Sequence, residues 1–331
     1  MESPPDVRDG TIDRSTMKAW QFTNTHEPLV LNEVPDPVAG PGQVVLEMKA
    51  AGLCHSDVGL LEDEGWLALL VKQPITIGHE NAGVVAEVGE GVTDFAVGDR
   101  VGVCPTTPAG APGYNFDGGF APKMVVDAQA LVPIPEGVDF VYGAAATDAG
   151  MTSHAAVITQ GGVKAGDTVG IIGLGGLGQI GARVAVLAGA TVYIAEVNES
   201  VWGLAEEIGA AGVAKSLREF EDVTFDVIVD FAGFGGTTAD AVEIIRRDGT
   251  VVVVGMGKLE ATISTRALIL NQCNLKGSNG GTKEDVAGIY EFMATGKLNP
   301  QTTTISFDEI PDGIAKLHRG EVTGRLVAVF D

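Results

Sequence analysis

"VGIIGLGGLGQIGARVAVLAGATVYIAE", Val169 to Glu196, is the stretch that decides the fold. It opens on a short apolar run, turns through a cluster of glycines into a helical pattern, and closes on a second run rich in β-branched residues. A short strand, a helix and a second short strand make the unit that lays two parallel strands side by side. The unit repeats downstream, where "FDVIVDFAG" (225–233), a helical stretch and "GTVVVVGMG" (249–257) follow one another. The runs are apolar at consecutive positions, as strands covered on both faces must be. The spacing predicts a doubly wound parallel sheet between about Met151 and Ser278.

The glycines of the first turn point to a ligand. Gly173, Gly175 and Gly178 read G-x-G-x-x-G between a strand and a helix, with Gly176 and Leu177 completing the loop. The first glycine permits a tight turn, the second lets a pyrophosphate approach the backbone, and the third lets helix pack on strand. Amides at the helix start then face the phosphates. Glu196 ends the next strand. A carboxylate there accepts hydrogen bonds from ribose hydroxyls and repels a 2′-phosphate, and no arginine follows in "EVNES". NAD(H) is therefore favoured over NADP(H).

Upstream the pattern differs. "GQVVLEMKAAGL" (42–53), "NAGVVAEVGEGV" (81–92) and "GDRVGV" (98–103) are short β-like runs broken by glycine. They predict an antiparallel, partly barrel-like unit. Downstream, "KEDVAGIYEFMATGK" (283–297) reads as a helix and "GRLVAVF" (324–330) as a β-like ending. Pattern alone leaves open whether this tail returns to the first unit. The expected organisation is one domain from 1–150 and 279–331, with 1–16 as a loose polar arm, and a second from 151–278.

Bulk properties exclude several classes. The 331 residues carry a formal net charge of −23, which repels nucleic acid and anionic membranes. No apolar run reaches membrane-spanning length, and the N-terminal residues lack the apolar core of a signal peptide. The cytoplasm is the expected location. Three scattered cysteines, Cys54, Cys104 and Cys273, do not make a disulfide framework. Cys273 and Cys104 read as small buried residues.

Cys54 is different, because "CHSD" (54–57) puts it beside His55, Ser56 and Asp57. His79 and Glu80 follow in "TIGHENAGVVAEVGEGV", and "AAATDAGMTSH" supplies Asp148. Thiolate, imidazole and carboxylate are all zinc ligands, and a catalytic zinc takes three of them. From spacing alone the set is suggestive. His26 and His154 are candidates of the same kind, and a redox role for Cys54 finds no partner cysteine nearby.

Together these motifs resemble the zinc-dependent alcohol dehydrogenases of the medium-chain dehydrogenase/reductase superfamily, over nearly all of residues 17–330. Gly78, His79, Glu80, Gly83, Gly89 and Val92 fit the family's zinc signature GHE-x-x-G-x5-G-x-x-V, "GLCHSD" fits the first-ligand motif, and "TDAG" is similar to the segment of the third ligand. The resemblance implies a GroES-like catalytic domain and a Rossmann domain. It implies Cys54, His79 and Asp148 as ligands of one zinc, and Glu80 as a carboxylate able to approach the metal. Asp57 would orient His79, and Ser56 would pass on the alcohol proton. His55 and Arg325 would reach the cofactor phosphates. The strand ends "FAGFGG" and "VVVVGMG" read as facing the cofactor, with Val254 and Met256 as contact candidates on the nicotinamide side. Trp66, Leu67, Leu69, Leu70, Tyr114 and Phe116 come from segments that line the substrate cleft in relatives. Homodimers or homotetramers are the usual assembly.

Two departures stand out. Relatives often hold a second, structural zinc on four cysteines, but "CPTTPAGAPGYNFDGGFA" (104–121) contains only Cys104, so that zinc is expected to be absent. Gly59 stands where some members place a relay histidine. The expected activity is reversible oxidation of an alcohol to an aldehyde or ketone with NAD+. A zinc-free NAD(P)H-dependent quinone or enone reductase of the same fold, and a non-catalytic NAD(H)-binding protein, are the alternatives.

Overall fold

We describe residues 15–330 of a computed structural model of the chain. Of the expected N-terminal arm, residues 1–14 lie outside the described residues, while Thr16 already belongs to the first strand, Thr16–Phe22.

The segment between Thr168 and Gly277 forms a six-stranded, wholly parallel sheet. Its spatial order is Gly212–Ala214, Thr191–Ala195, Thr168–Ile172, Phe225–Asp230, Ile245–Val253, Asn274–Gly277. In chain order that is 3-2-1-4-5-6, the doubly wound arrangement with its switch point between the first and fourth strands. Alternate residues feed opposite faces. Val169, Ile171, Val227 and Val229 enter one core, while Ile172 and Ile228 enter another. Burial on both faces explains the unbroken apolar runs. The pattern reading missed Gly212–Ala214, because "GVA" is too short to show periodicity.

The second architecture is antiparallel. Gln43–Leu53 is its axis, pairing with Glu80–Val88 on one side. On the other side its first half pairs with Lys123–Asp127 and its second half with Arg325–Val329. The C-terminal tail therefore returns to this sheet, and Thr302–Ser306 is added parallel to its last strand. The sheet path runs open from Thr302–Ser306 to Leu131–Pro133, so no closed barrel forms. A separate three-stranded sheet contains Thr16–Phe22, Val30–Pro35 and Ile75–Thr76.

A helical run spans the pattern change near Met151. Residues 140–160 form one helical run, in which α-turns alternate with the wider π-turns Ala146–Gly150 and Ala155–Gln160. One core extends from Ala50 and Ala82 of the antiparallel sheet through Ala146, Met151 and Ala156 to Val169 and Ile171. The Lys283–Ala294 helix packs on the run through a buried polar knot. Asp285, 2% exposed, accepts hydrogen bonds from the Thr159 hydroxyl (2.6 Å) and the Thr282 amide (2.9 Å), and its Oδ1 lies 2.8 Å from His154 Nδ1.

Burial alone would raise the Asp285 pKa, but these partners outweigh it and hold the carboxyl below its ordinary value. A depressed folded pKa gives stability that is present above the unfolded value of about 3.9 and lost as pH falls through the folded one. The melting temperature of the native chain should therefore fall more steeply below about pH 4 than that of Asp285→Asn. Parallel melting curves across that range would contradict this assignment.

Cys273, expected in the core, is half-buried. It sits between the Thr265–Leu270 helix and the sheet's last strand, where the core thins out toward the edge.

Candidate active site

Cys54 ends the long Gln43–Leu53 strand and caps the His55–Glu62 helix. The cap is local chemistry: the Cys54 amide donates to Asp57 Oδ2 at 2.9 Å. That fixes Asp57 so that its other oxygen, Oδ1, lies 3.5 Å from Nδ1 of His79. Both atoms are buried and have no closer partner. Asp57 thus ties the first-ligand segment to the histidine, and its acceptor oxygen favours a proton on Nδ1, leaving Nε2 free as a ligand.

His79 follows Gly78, whose φ of +100° suits glycine, and precedes the Glu80–Val88 strand. A Cβ on Gly78 would lie 2.5 Å from the Phe120 ring. Nε2 of His79 lies 3.5 Å from Asp148 Oδ2. Asp148 comes from the π-turn Ala146–Gly150 of the helical run. π-turns within α-helices are rare and occur often at functional sites. Thr152 donates to Asp148 Oδ1 at 3.3 Å, and the neighbouring Thr147 hydroxyl accepts from the Asn81 amide at 3.1 Å, pinning the run to the strand that begins at Glu80.

One ligand atom from each of Cys54, His79, Glu80 and Asp148 lies within 4.8 Å of the others. Burial would push the His79 pKa down, but the Asp57 charge and the polar contacts with Asp148, Asp57 and Cys54 outweigh it and hold the group well above its ordinary value. Burial would likewise raise Asp148, yet the His79 partner holds it low. Carboxylates converging on a buried imidazole favour positive charge at their centre. Sulfur, nitrogen and oxygen donors at this spacing fit a zinc ion. Neither His26, which lies in a turn at φ +64°, nor His154, bound to Asp285, joins the cluster.

Ser56 Oγ lies 3.3 Å from the Cys54 sulfur. The Tyr114 ring covers His79 with centroids 5.7 Å apart, and burial pushes its phenol pKa up. Over Gly59 lies Trp66: a Cβ there would meet the indole at 2.7 Å, so the indole occupies the space of a side chain at 59. Trp66, Leu67, Leu70, Tyr114 and Phe116 pack as half-buried groups against the core, whereas Leu69 is 53% exposed. Cys104 is buried, its sulfur 3.8 Å from that of Met151.

The glycine loop lies at the switch point of the parallel sheet. Gly173 has φ +90°, and a Cβ on Gly178 would fall 1.9 Å from the Gly173 carbonyl oxygen, so both glycines are required by the turn itself. Gly175 is different, because a Cβ there meets nothing within 4 Å. Leu177 precedes the Gly178–Leu187 helix, and its carbonyl accepts from Ser153 at 2.9 Å. Glu196 directly follows the Thr191–Ala195 strand and accepts from the amides of Leu174 and Asn198, both at 2.7 Å. Open space at Gly175, a helix start behind it and a carboxylate beside it fit a dinucleotide. Val254 is half-buried and Met256 is 68% exposed, beyond the end of the Ile245–Val253 strand. His55, beside Cys54, has its pKa lowered by burial and then by the charge of Arg325.

Three residues here escaped the sequence reading. Gly52 leaves the room that Glu80 fills, since a Cβ there would lie 2.0 Å from Glu80 Oε2. Thr152 supports Asp148. Asp230, fully buried, accepts from the amides of Ala232 and Gly233 and the hydroxyls of Thr237 and Thr238, and so shapes the loop facing the glycine turn. Only Gly52 had a signal, its place within "AGLCHSD".

Comparison with known proteins agrees with this geometry. The alcohol dehydrogenase GroES-like domain family matches residues 40–136, and the zinc-binding dehydrogenase family matches 176–295. An alcohol dehydrogenase of Geobacillus stearothermophilus is 30% identical, with 94% of this chain and 98% of that protein covered. An alcohol dehydrogenase structure from Aeropyrum pernix has a TM-score of 0.84 at 30% identity, covering 95% of this chain and 100% of the other. Acetophenone reductase of Geotrichum candidum, solved with NAD, has a TM-score of 0.85 at 27% identity, covering 97% and 99%. The chain belongs to the alcohol dehydrogenase family of the medium-chain dehydrogenase/reductase superfamily. It is an enzyme, an oxidoreductase, and its two units are the GroES-like and Rossmann-like folds of that superfamily. Among the described residues no helix is long and apolar enough to cross a membrane.

Proposed function

We propose that the chain oxidises an alcohol reversibly to an aldehyde or ketone, passing hydride to NAD+, with one zinc ion per chain held by Cys54, His79 and Asp148. The observation that carries this reading is the convergence of those three side chains and Glu80 within 4.8 Å, on segments otherwise distant in sequence. When bound, zinc supplies Lewis acidity at the substrate oxygen, and nicotinamide supplies the hydride acceptor. This chain's own residues do the rest. Asp57 fixes the tautomer of His79. Ser56 accepts the alcohol proton and passes it outward. The exit does not run past position 59, where Trp66 sits. Tyr114 covers His79 and excludes water from that side of the cluster, and with Trp66 and Phe116 in the same apolar surroundings it favours an apolar substrate. Glu196 takes the adenosine ribose hydroxyls and disfavours a 2′-phosphate. On this reading Cys104 packs in the core and holds no metal. The domains divide as 1–150 with 279–331, and 151–278.

The test is NADH formation followed at 340 nm with an apolar alcohol. It should depend on NAD+ in preference to NADP+, vanish on dialysis against a chelator and return with zinc. Undiminished turnover in chelated protein shown to hold no zinc would remove the metal from the proposal.

Assembly follows from the sheet edge. Asn274–Gly277 is exposed at all four residues, and the adjoining Thr265–Leu270 helix buries none of its own. Ile269 is 69% exposed and Leu270 57%. An uncovered edge strand flanked by apolar side chains is a pairing surface. A homodimer or homotetramer formed through this edge covers both. Light scattering should give a multiple of the 34.1 kDa chain mass. Ile269→Asp, which disturbs nothing buried, should lower that multiple. A monomeric native chain would sink this part of the proposal.

A further inference from the structure

Resting on the zinc and dinucleotide reading above, we propose that Arg325 and Glu80 form a switch coupling occupancy of the pyrophosphate site to the freedom of Glu80 at the metal site. Arg325 opens the last strand and is 4% exposed, while Glu80 is fully buried. Nη2 of Arg325 contacts Glu80 Oε1, and among the described residues this is the one ion pair that either makes. Nε of Arg325 and Oε2 of Glu80 are buried with no hydrogen-bond partner. Buried polar atoms are seldom left unmet, so each group has capacity for a second partner.

The position of each group says what that partner is. The Arg325 side chain lies along the glycine loop: a Cβ on Gly176 would sit 3.1 Å from its Cδ and 3.3 Å from Nη1. Its backbone is tied to the same loop, because the Arg325 amide donates to the Gln301 carbonyl at 2.9 Å and the Gln301 amide donates to Gln179 Oε1 at 3.0 Å. A guanidinium held against a phosphate-binding turn takes a phosphate oxygen. Glu80 is a member of the four-residue cluster, where a carboxylate takes a cation.

These second partners weaken the ion pair. Pyrophosphate at the free Nε takes up part of the Arg325 charge that holds Glu80, and a cation at the free Oε2 takes up part of the Glu80 charge that holds Arg325. Each ligand loosens the same pair, so each favours the other's binding. Linkage makes the effect equal in both directions.

The test uses ADP-ribose, which carries the pyrophosphate and lacks the nicotinamide that could touch the metal site directly. Calorimetry compares its affinity for chelator-stripped and zinc-reloaded enzyme, for the native chain and for Glu80→Gln. Glutamine keeps the shape and can still accept from Arg325, and circular dichroism checks the fold. The native chain should bind ADP-ribose at least about 5-fold tighter with zinc, the lower end of typical couplings. In Glu80→Gln the zinc-free protein should bind nearly as tightly as zinc-loaded native enzyme, collapsing the ratio toward one. A reciprocal measurement needs no variant: in competition with a chromogenic chelator, saturating ADP-ribose should raise the zinc affinity of the native holoenzyme by the same factor. Equal ADP-ribose affinity with and without zinc, or a ratio unchanged in Glu80→Gln, overturns the coupling. A native chain that binds neither zinc nor ADP-ribose overturns the functional reading as well. Binding of both without linkage overturns the switch alone.

Discussion

Cys54→Ser and Asp148→Ala should each reduce alcohol oxidation by about 1000-fold or more, while NADH still binds, weakened only by the roughly 5-fold that the coupling to zinc accounts for. The magnitude follows from the donor set. A metal that polarises the reacting oxygen contributes several kcal/mol to the transition state, and each 1.36 kcal/mol is about tenfold in rate. Removing one of three ligands removes the metal or displaces it. Serine at position 54 keeps the backbone amide that donates to Asp57, so the start of the His55–Glu62 helix should survive. Asp148 lies in the π-turn and its partners are side chains, His79 and Thr152, so alanine there leaves the helical backbone intact. The glycine loop belongs to the other sheet and is untouched by either change. Steady-state kinetics and NADH fluorescence titration check the two halves separately. Turnover within tenfold of native in both variants would show that this cluster is not the catalytic metal site.

Gly175→Val and Gly178→Ala should part company in the opposite sense. Gly175 has free space around a Cβ, so valine there should fold with a native melting temperature. That free space is where the pyrophosphate approaches, and a side chain in it displaces at least two charge-assisted hydrogen bonds of roughly 1.5–3 kcal/mol each. NADH affinity should fall by at least about 100-fold. At Gly178 the Cβ would run into the Gly173 carbonyl, so alanine forces helix and turn apart and should lower the melting temperature as well. Equal NADH affinity for Gly175→Val and native enzyme would place the dinucleotide elsewhere.

The parallel sheet was readable because strands buried on both faces write themselves as apolar runs, and because the glycine spacing is dictated by sterics that Gly173 and Gly178 display directly. Cys54, His79 and Asp148 were nameable from residue type and resemblance. Their convergence was not, since it depends on where a strand end, a strand start and a π-turn meet. The C-terminal return could not be read either: "GRLVAVF" says strand, and only the pairing of Leu326 with Leu53 says which sheet. The contact between Arg325 and Glu80 was hidden for the same reason, as the residues are 245 positions apart. Asp230 and Thr152 carried no motif, because a carboxylate that shapes a loop and a hydroxyl that props a ligand look like ordinary polar residues until their partners are known.

The most direct test of the central claim is the zinc content per chain, by elemental mass spectrometry, of native protein and of Asp148→Ala, both purified without chelator and then equilibrated with zinc and desalted. The account predicts one zinc per native chain and much less than one in the variant. No zinc in the native chain, or one in both proteins, would contradict it.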